Sequence, residues 1–159
     1  RINNISSEDR AFLWDRIGHW AQDEDEWEDA EMYFRKAYEM AGGEYGYCLG
    51  VALNHLGRFK ESLPILIEQA EKIQPDDFSW FQVAIAYEFQ GYIQEAINSY
   101  KKCLAINEKN ELALFNLGGI YWNSRNYDEA RHIWKLAVEY YPDHELSRKL
   151  RKDIPFILD

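Results

Sequence analysis

Cysteine, proline and glycine are scarce in this chain, and long apolar runs are absent. Two cysteines, Cys48 and Cys103, stand in 159 residues, both within apolar helical patterns. Reduced, buried thiols are expected of them, and a cytoplasmic setting follows as the default. No stretch of 18 apolar residues occurs and no signal peptide is recognisable, so no membrane span is expected. Positive charge is also short: 18 Lys and Arg face 28 Asp and Glu, for a formal net charge of -10. That balance argues against a nucleic-acid backbone or an anionic membrane as partner and favours neutral or basic ones. A chain that opens on Arg1 reads as a piece of a longer protein or as a processed form.

What the chain does hold is large planar side chains: 6 Trp, 11 Tyr and 8 Phe. They recur with a period. Gly18, Gly50, Ala84 and Gly118 follow one another at spacings of 32, 34 and 34, as do Ala30, Ser62, Ala96 and Ala130. Bulky series run in parallel through Trp27, Phe59, Ile93 and Tyr127, and through Phe34, Leu66, Tyr100 and Trp134. "WEDA", "FKES", "IQEA" and "YDEA" are the same phrase written four times. A period of this size marks a solenoid rather than one globular core.

Each unit reads as two helices. In the third, Trp80, Val83, Ala84 and Tyr87 recur at helical spacing, "FQGY" interrupts, and Ala96, Ile97, Tyr100, Cys103 and Leu104 resume it. Small residues at 84 and 96 fit two helices crossing closely, so the glycines of that series are packing devices and not a phosphate loop. Gly57, Gly91 and the "NSRN" stretch end helices, and Pro75 and Pro142 close the second helix of their units. Pro64 falls inside a second helix, read as near enough to its start to cost little. Ser6 with Asp9 offers a capping box and a helix start near Ser7.

In this pattern the chain resembles tetratricopeptide-repeat proteins. The third unit carries Trp80, Val83-Ala84, Tyr87, Ala96, Tyr100 and Cys103; the fourth carries Leu114, Leu117-Gly118, Tyr121, Ala130, Trp134, Ala137 and Pro142. The first has Trp14, Ile17-Gly18, Ala30, Phe34 and Ala37, with Ala21 where tyrosine is usual; the second, with Gly46, Leu49-Gly50, Leu53, Ser62 and Leu66, is the weakest. The resemblance implies an all-α, right-handed superhelical solenoid of antiparallel helix pairs, a single domain over 1–159. Its units would run about 11–42, 43–76, 77–110 and 111–144, with a capping helix about 144–153. The tail "IPFILD" is expected to fold back on that last helix.

The resemblance further implies a concave face lined by the first helix of each pair, which takes a peptide or hydrophobic segment of another protein. Helical register assigns to that face Phe12, Arg16 and His19; Tyr47, Val51 and Asn54; Phe78, Phe81, Gln82, Ile85 and Glu88; and Phe115, Asn116, Gly119 and Trp122. Gly119 weakens its helix by about 1 kcal/mol relative to Ala, which a space for a partner's side chain would explain. A clamp for a C-terminal carboxylate, known in the family, needs a lysine where this chain has Asp15, which would repel that carboxylate, so it is not expected. An apolar or partly basic segment suits the aromatic face and its acidic rim of Asp23, Glu44 and Glu88. The alternatives are a structural scaffold or oligomerisation element of a larger assembly, self-association through the C-terminal tail, or a secretion-type repeat chaperone.

No catalysis, metal or cofactor is expected. His19, His55, His132 and His144 lie in different units without a local Ser or Cys partner. Cys48 and His55 share a helix face but are separated by about 10 Å of rise. Asp15 and His19 form an i,i+4 pair that supplies an orienting contact and no nucleophile. The acidic run "DEDEWED" at 23–29 lacks the spacing and glycine of a calcium loop and reads as a solvated turn before a helix start.

Overall fold

The computed structural model describes residues 5–157, and among them all regular structure is helical. Nine α-helices follow in chain order: α1 (Ser7–Asp23), α2 (Trp27–Ala41), α3 (Gly46–His55), α4 (Phe59–Glu68), α5 (Asp77–Phe89), α6 (Ile93–Ile106), α7 (Glu111–Asn123), α8 (Tyr127–Tyr140) and α9 (Glu145–Asp153). They pack as antiparallel pairs, α1 on α2, α3 on α4, α5 on α6 and α7 on α8, and each second helix also meets the next first helix. The result is an all-α solenoid of stacked pairs.

The starts of the helices are written in side chains. Ser6 and Asp9 form the expected reciprocal box, with the Asp9 N–H donating to Ser6 Oγ at 3.0 Å. Asp76 accepts from the Ser79 N–H at 2.8 Å and Asn110 from the Ala113 N–H at 3.0 Å, fixing the starts of α5 and α7. The second helices lack such caps but carry Glu28 and Asp29, Glu61, Glu95, and Asp128 and Glu129 in their first turns, where the helix dipole favours negative charge.

One turn recurs inside all four pairs. Asp25, Gly57, Gly91 and Arg125 hold positive φ of 62°, 72°, 81° and 60°, at the same period as the repeat. In each case the next N–H reaches back five residues to a helix carbonyl: Glu26 to Ala21, Arg58 to Leu53, Tyr92 to Tyr87 and Asn126 to Tyr121, at 2.8–3.0 Å. This left-handed termination reverses the chain sharply, which is why glycine suits it and why Asp25 and Arg125 carry a cost there.

The small-residue series sits where the paired helices cross. A Cβ on Gly18 would lie 2.6 Å from the Phe34 ring, and one on Gly50 2.5 Å from Leu66; Gly118 faces the Trp134 indole just as tightly. Phe34, Leu66, Tyr100 and Trp134 thus form the spine of the core, with Leu49, Leu53, Val83, Leu114 and Leu117 fully enclosed around them.

The second pair departs from expectation. Its α4 passes into a five-residue π turn, Gln69–Ile73, closed by the Gln74 N–H on the Gln69 carbonyl at 2.7 Å. Gly46 stands where the other first helices carry Trp14, Trp80 and Leu114, and the Gln69 side chain enters the space its missing Cβ leaves, donating to the Gly43 carbonyl at 2.8 Å. Pro64 lies in the second turn of α4, so the Lys60 carbonyl loses its intrahelical donor; Lys60 is exposed and water can serve it. The tail beyond α9 is divided. Ile154 packs on the core of the last pairs, whereas Phe156 is 59% exposed and so does not fold back as expected. Leu158 and Asp159 lie outside the described residues.

Candidate functional site

The first helices set their outward faces side by side, α3 directly against α5. Between them lies a cleft of about 410 Å³ lined by Val51, Asn54, His55, Phe59, Phe81, Gln82, Ile85 and Phe89. Five residues assigned to the concave face from register therefore meet in one place. Its rim is aromatic: Phe59 and Phe89 stack at 5.1 Å between centroids, and Trp27 stacks on His55 at 3.8 Å. Phe81 leans on Tyr100 at 5.9 Å and remains half-buried. Phe78, at 59% exposure, and Leu112, at 58%, stand out from the starts of α5 and α7.

Not every assigned residue offers its side chain to solvent. Asn54 is buried and acts as a polar bolt: its Nδ2 donates to the Gln82 carbonyl at 3.0 Å and to Gln82 Oε1 at 3.1 Å, while its Oδ1 accepts from Ser62 Oγ at 2.5 Å. It joins both helices of the second pair to α5, and Gln82 is partly committed to the same network. Phe115 is buried too, at 7% exposure, under the His144 ring at 4.8 Å. Glu88 accepts from the Tyr100 hydroxyl at 2.7 Å, and Asn116 donates to the same oxygen at 3.2 Å. Burial, then the Glu88 charge, push the Tyr100 hydroxyl far above its ordinary pKa, so it stays a donor. These side chains are spoken for by the fold, because helices standing this close must satisfy one another's polar groups before they can serve a partner.

Gly119 is different. No atom lies within 4 Å of where its Cβ would stand, in contrast to Gly118 one residue before. Trp122, half-buried on the same helix, touches Trp134 and Tyr127 and helps line a second cleft of about 270 Å³ with Phe115, Leu146, Leu150 and Ile154. The last helix thus forms one wall of a cleft that register on the first helices alone could not reveal.

At the other end, Phe12 is 55% exposed and Arg16 is open to solvent. Beside them the structure brings together three side chains whose meeting sequence reasoning missed. Cys48 Sγ lies 3.6 Å from His19 Nε2, and Asp15 Oδ2 lies 3.6 Å from the same nitrogen. Cys48 is half-buried beside His19, not enclosed as expected; Cys103 is fully enclosed. The signal was available in the register of neighbouring first helices, where residue 48 falls about one turn before the counterpart of residue 19. A thiol, an imidazole and a carboxylate invite comparison with a nucleophile relay, but acid and thiol approach one ring nitrogen instead of opposite ones. The imidazole cannot pass a proton between them in that pose. Burial, then the Asp15 charge, raise the thiol pKa to about 11, the reverse of activation.

Polar bonds also seat the fourth pair. Asp77 accepts from Asn107 Nδ2 at 2.8 Å and Asn110 Nδ2 at 2.9 Å. Burial works to raise its pKa, but these amides and local backbone N–H groups outweigh it and hold the carboxyl below its ordinary value.

Comparison with known proteins agrees with this architecture. The family model described as tetratricopeptide repeat matches residues 90–154. Human tetratricopeptide repeat protein 6 is 33% identical over 61 residues, covering 38% of this chain and 12% of that protein. The photosystem I assembly protein Ycf3 of Prochlorococcus marinus (strain NATL2A) is 25% identical over 151 residues, covering 86% of this chain and 70% of its own length. Among solved structures, YrrB, a protein of this repeat class with an unusual peptide-binding site, superposes with a TM-score of 0.78 at 24% identity, over 89% of this chain and 74% of that one. MamA of Desulfovibrio magneticus RS-1 does so with 0.78 at 14% identity, over 85% and 77%. Repeated helix pairs and tight crossings at the small-residue positions give the chain the tetratricopeptide-repeat fold of these solved structures, and the family model places that repeat at residues 90–154.

Proposed function

We propose that this chain is a non-catalytic interaction module that holds an apolar, partly basic segment of another protein against its first helices. The observation that carries the reading is the cleft between α3 and α5, walled by Val51, Phe81, Ile85 and Phe89, with Phe78 and Leu112 extending the apolar surface beyond it. Aromatic anchors in a partly desolvated cleft are the side chains that dominate binding energies. Asp23, Glu44 and Glu88, with the net charge of -10, favour a segment carrying Lys or Arg and raise its rate of encounter. Gly119, open on the same helical face as Trp122, leaves space for a large side chain of the segment. The peptide-binding site for which YrrB is described lends the reading support by analogy of fold.

The proposed groove comprises Phe12, Arg16, His19, Tyr47, Val51, Phe78, Phe81, Gln82, Ile85, Gly119 and Trp122, with Asn54, Phe115, Glu88 and Asn116 as its support from within the fold. Two unpaired thiols favour a reducing, cytoplasmic setting, and no described helix is long and apolar enough to cross a membrane. Phe156, exposed beyond α9, favours a second contact through the tail, with another copy of the chain as its partner.

The test is fluorescence anisotropy with labelled peptides that pair aromatic or aliphatic residues with Lys and Arg, beside scrambled and acidic controls. Saturable binding is expected for the apolar basic set. Phe81→Ala should weaken it by about thirtyfold, the equivalent of a 2 kcal/mol anchor, with helicity unchanged by circular dichroism. Equal affinity for wild type and Phe81→Ala, or equal binding of acidic controls, would contradict the proposal.

A further inference from the structure

We propose that Asp15, His19 and Cys48 form a binding site for a divalent transition metal of the zinc class, open on its fourth side. The argument starts from one nitrogen with two suitors. His19 Nε2 faces Asp15 Oδ2 at 3.6 Å and Cys48 Sγ at 3.6 Å. As a donor it serves the carboxylate and leaves the thiol without an acceptor; as an acceptor it serves the thiol and faces the carboxylate lone pair to lone pair. At 3.6 Å the nitrogen–oxygen separation lies outside the hydrogen-bond range of about 2.7–3.2 Å in any case. The thiol lies within hydrogen-bond reach of the nitrogen, but one nitrogen cannot serve both partners, so one of the two is always left without its bond.

A tetrahedral metal serves all three donor atoms. With metal–sulfur bonds of about 2.3 Å and metal–nitrogen and metal–oxygen bonds of about 2.0 Å, tetrahedral angles set sulfur and nitrogen about 3.5 Å apart and nitrogen and oxygen about 3.3 Å apart. The observed separations differ from these by a few tenths of an ångström, and the three ligand atoms all lie within 4.8 Å of one another. The mixed sulfur, nitrogen and oxygen set suits zinc or cobalt and disfavours calcium and magnesium, which take oxygen shells. The frame is partly built: Asp15 and His19 are one turn apart on α1, Cys48 comes from α3, and the Phe34 ring meets His19 edge-on at 5.1 Å between centroids. All three side chains are half-buried, so the site is shielded yet reachable. A bound metal would take up the thiol as thiolate and release its proton to solvent. Water would complete the shell on the side facing the groove. The metal would also tie the first pair to the second. None of this depends on peptide capture, so either proposal can fail alone.

The experiment is a titration of the full chain, fully reduced, with Co²⁺ as the spectroscopic probe and with Zn²⁺ in competition. The expected result is a thiolate-to-cobalt charge-transfer band with the intense visible bands of a tetrahedral site, saturating with one ion per chain and displaced by Zn²⁺. Cys48→Ala should abolish the charge-transfer band, and His19→Ala should weaken affinity by about a hundredfold or more. Cys103→Ala, a change at an enclosed thiol remote from the cluster, should leave the spectrum as it is, and Asp15→Asn should weaken binding. Because a variant can lose its fold, the rate of maleimide modification of Cys48 in the wild type is followed as well, and Zn²⁺ should slow it at least tenfold. Absence of the charge-transfer band, its survival in Cys48→Ala, or unchanged maleimide reactivity with Zn²⁺ would each overturn the assignment.

Discussion

Arg125 holds a φ of 60° at a turn where two of its counterparts are glycine. A side chain there costs roughly 1–2 kcal/mol against glycine's freedom, offset in part by the greater entropy glycine brings to the unfolded chain. Arg125→Gly is therefore expected to stabilise the protein by about 0.5–1 kcal/mol, read as a shift of the urea midpoint without a change in slope. Gly118 and Gly119 give a sharper contrast. Gly118→Ala thrusts a methyl into the Trp134 indole, which forms part of the core and cannot retreat freely. It should destabilise by about 1–3 kcal/mol. Gly119→Ala meets no atom and should stabilise by up to about 1 kcal/mol through helix propensity alone. Opposite shifts in melting temperature from the two neighbours would check both statements at once. The two glycines could be told apart in the sequence, because the repeat demands only the first. What lies beside the second is a matter of how far neighbouring helices lean away, which no spacing records.

Single helices show where reading the sequence succeeds and where it stops. Ser6 with Asp9 fixed the start of α1 by local chemistry, and the repeat fixed the crossings. The π turn after α4 could not be foreseen, since it depends on Gln69 filling a space left by Gly46, more than twenty residues earlier. Asn54 shows a similar limit: its register points to the groove and it does line the cleft, but Ser62 and Gln82 enclose it from two other helices. Asn54→Ala should cost about 1–2 kcal/mol, because the bonds to Gln82 are lost while Ser62 keeps the Phe59 carbonyl as acceptor. The start of α5 carries a pH dependence. The Asp77 carboxyl is held below its ordinary value in the fold, so its contribution is full above the unfolded pKa of about 3.9 and is lost as pH falls through the folded one. The stability gap between wild type and Asp77→Asn, measured by urea unfolding, should accordingly be wide at neutral pH and close in acid. A gap constant with pH would show that the Asn107 and Asn110 bonds do not depend on the carboxylate charge.

For the whole molecule, stacking helix pairs makes one face from residues far apart in the chain. Val51, Phe81 and Ile85 come from two units, and Cys48 meets His19 across the boundary between the first pair and the second. Periodicity could say that these residues share a face, since it fixes rotation about each helix axis. It could not say how deeply each sinks, as Phe115 under His144 illustrates, because depth is set by the neighbouring helix. The measurement that tests the central claim most directly is NMR chemical-shift mapping with a saturating apolar, basic peptide. The account predicts perturbations concentrated on α3, α5 and α7, strongest at Val51, Phe78, Phe81 and Gly119, with α4, α6 and α8 unmoved on their outer faces. Perturbations confined to those second helices, or absent from Phe81 at saturation, would contradict it.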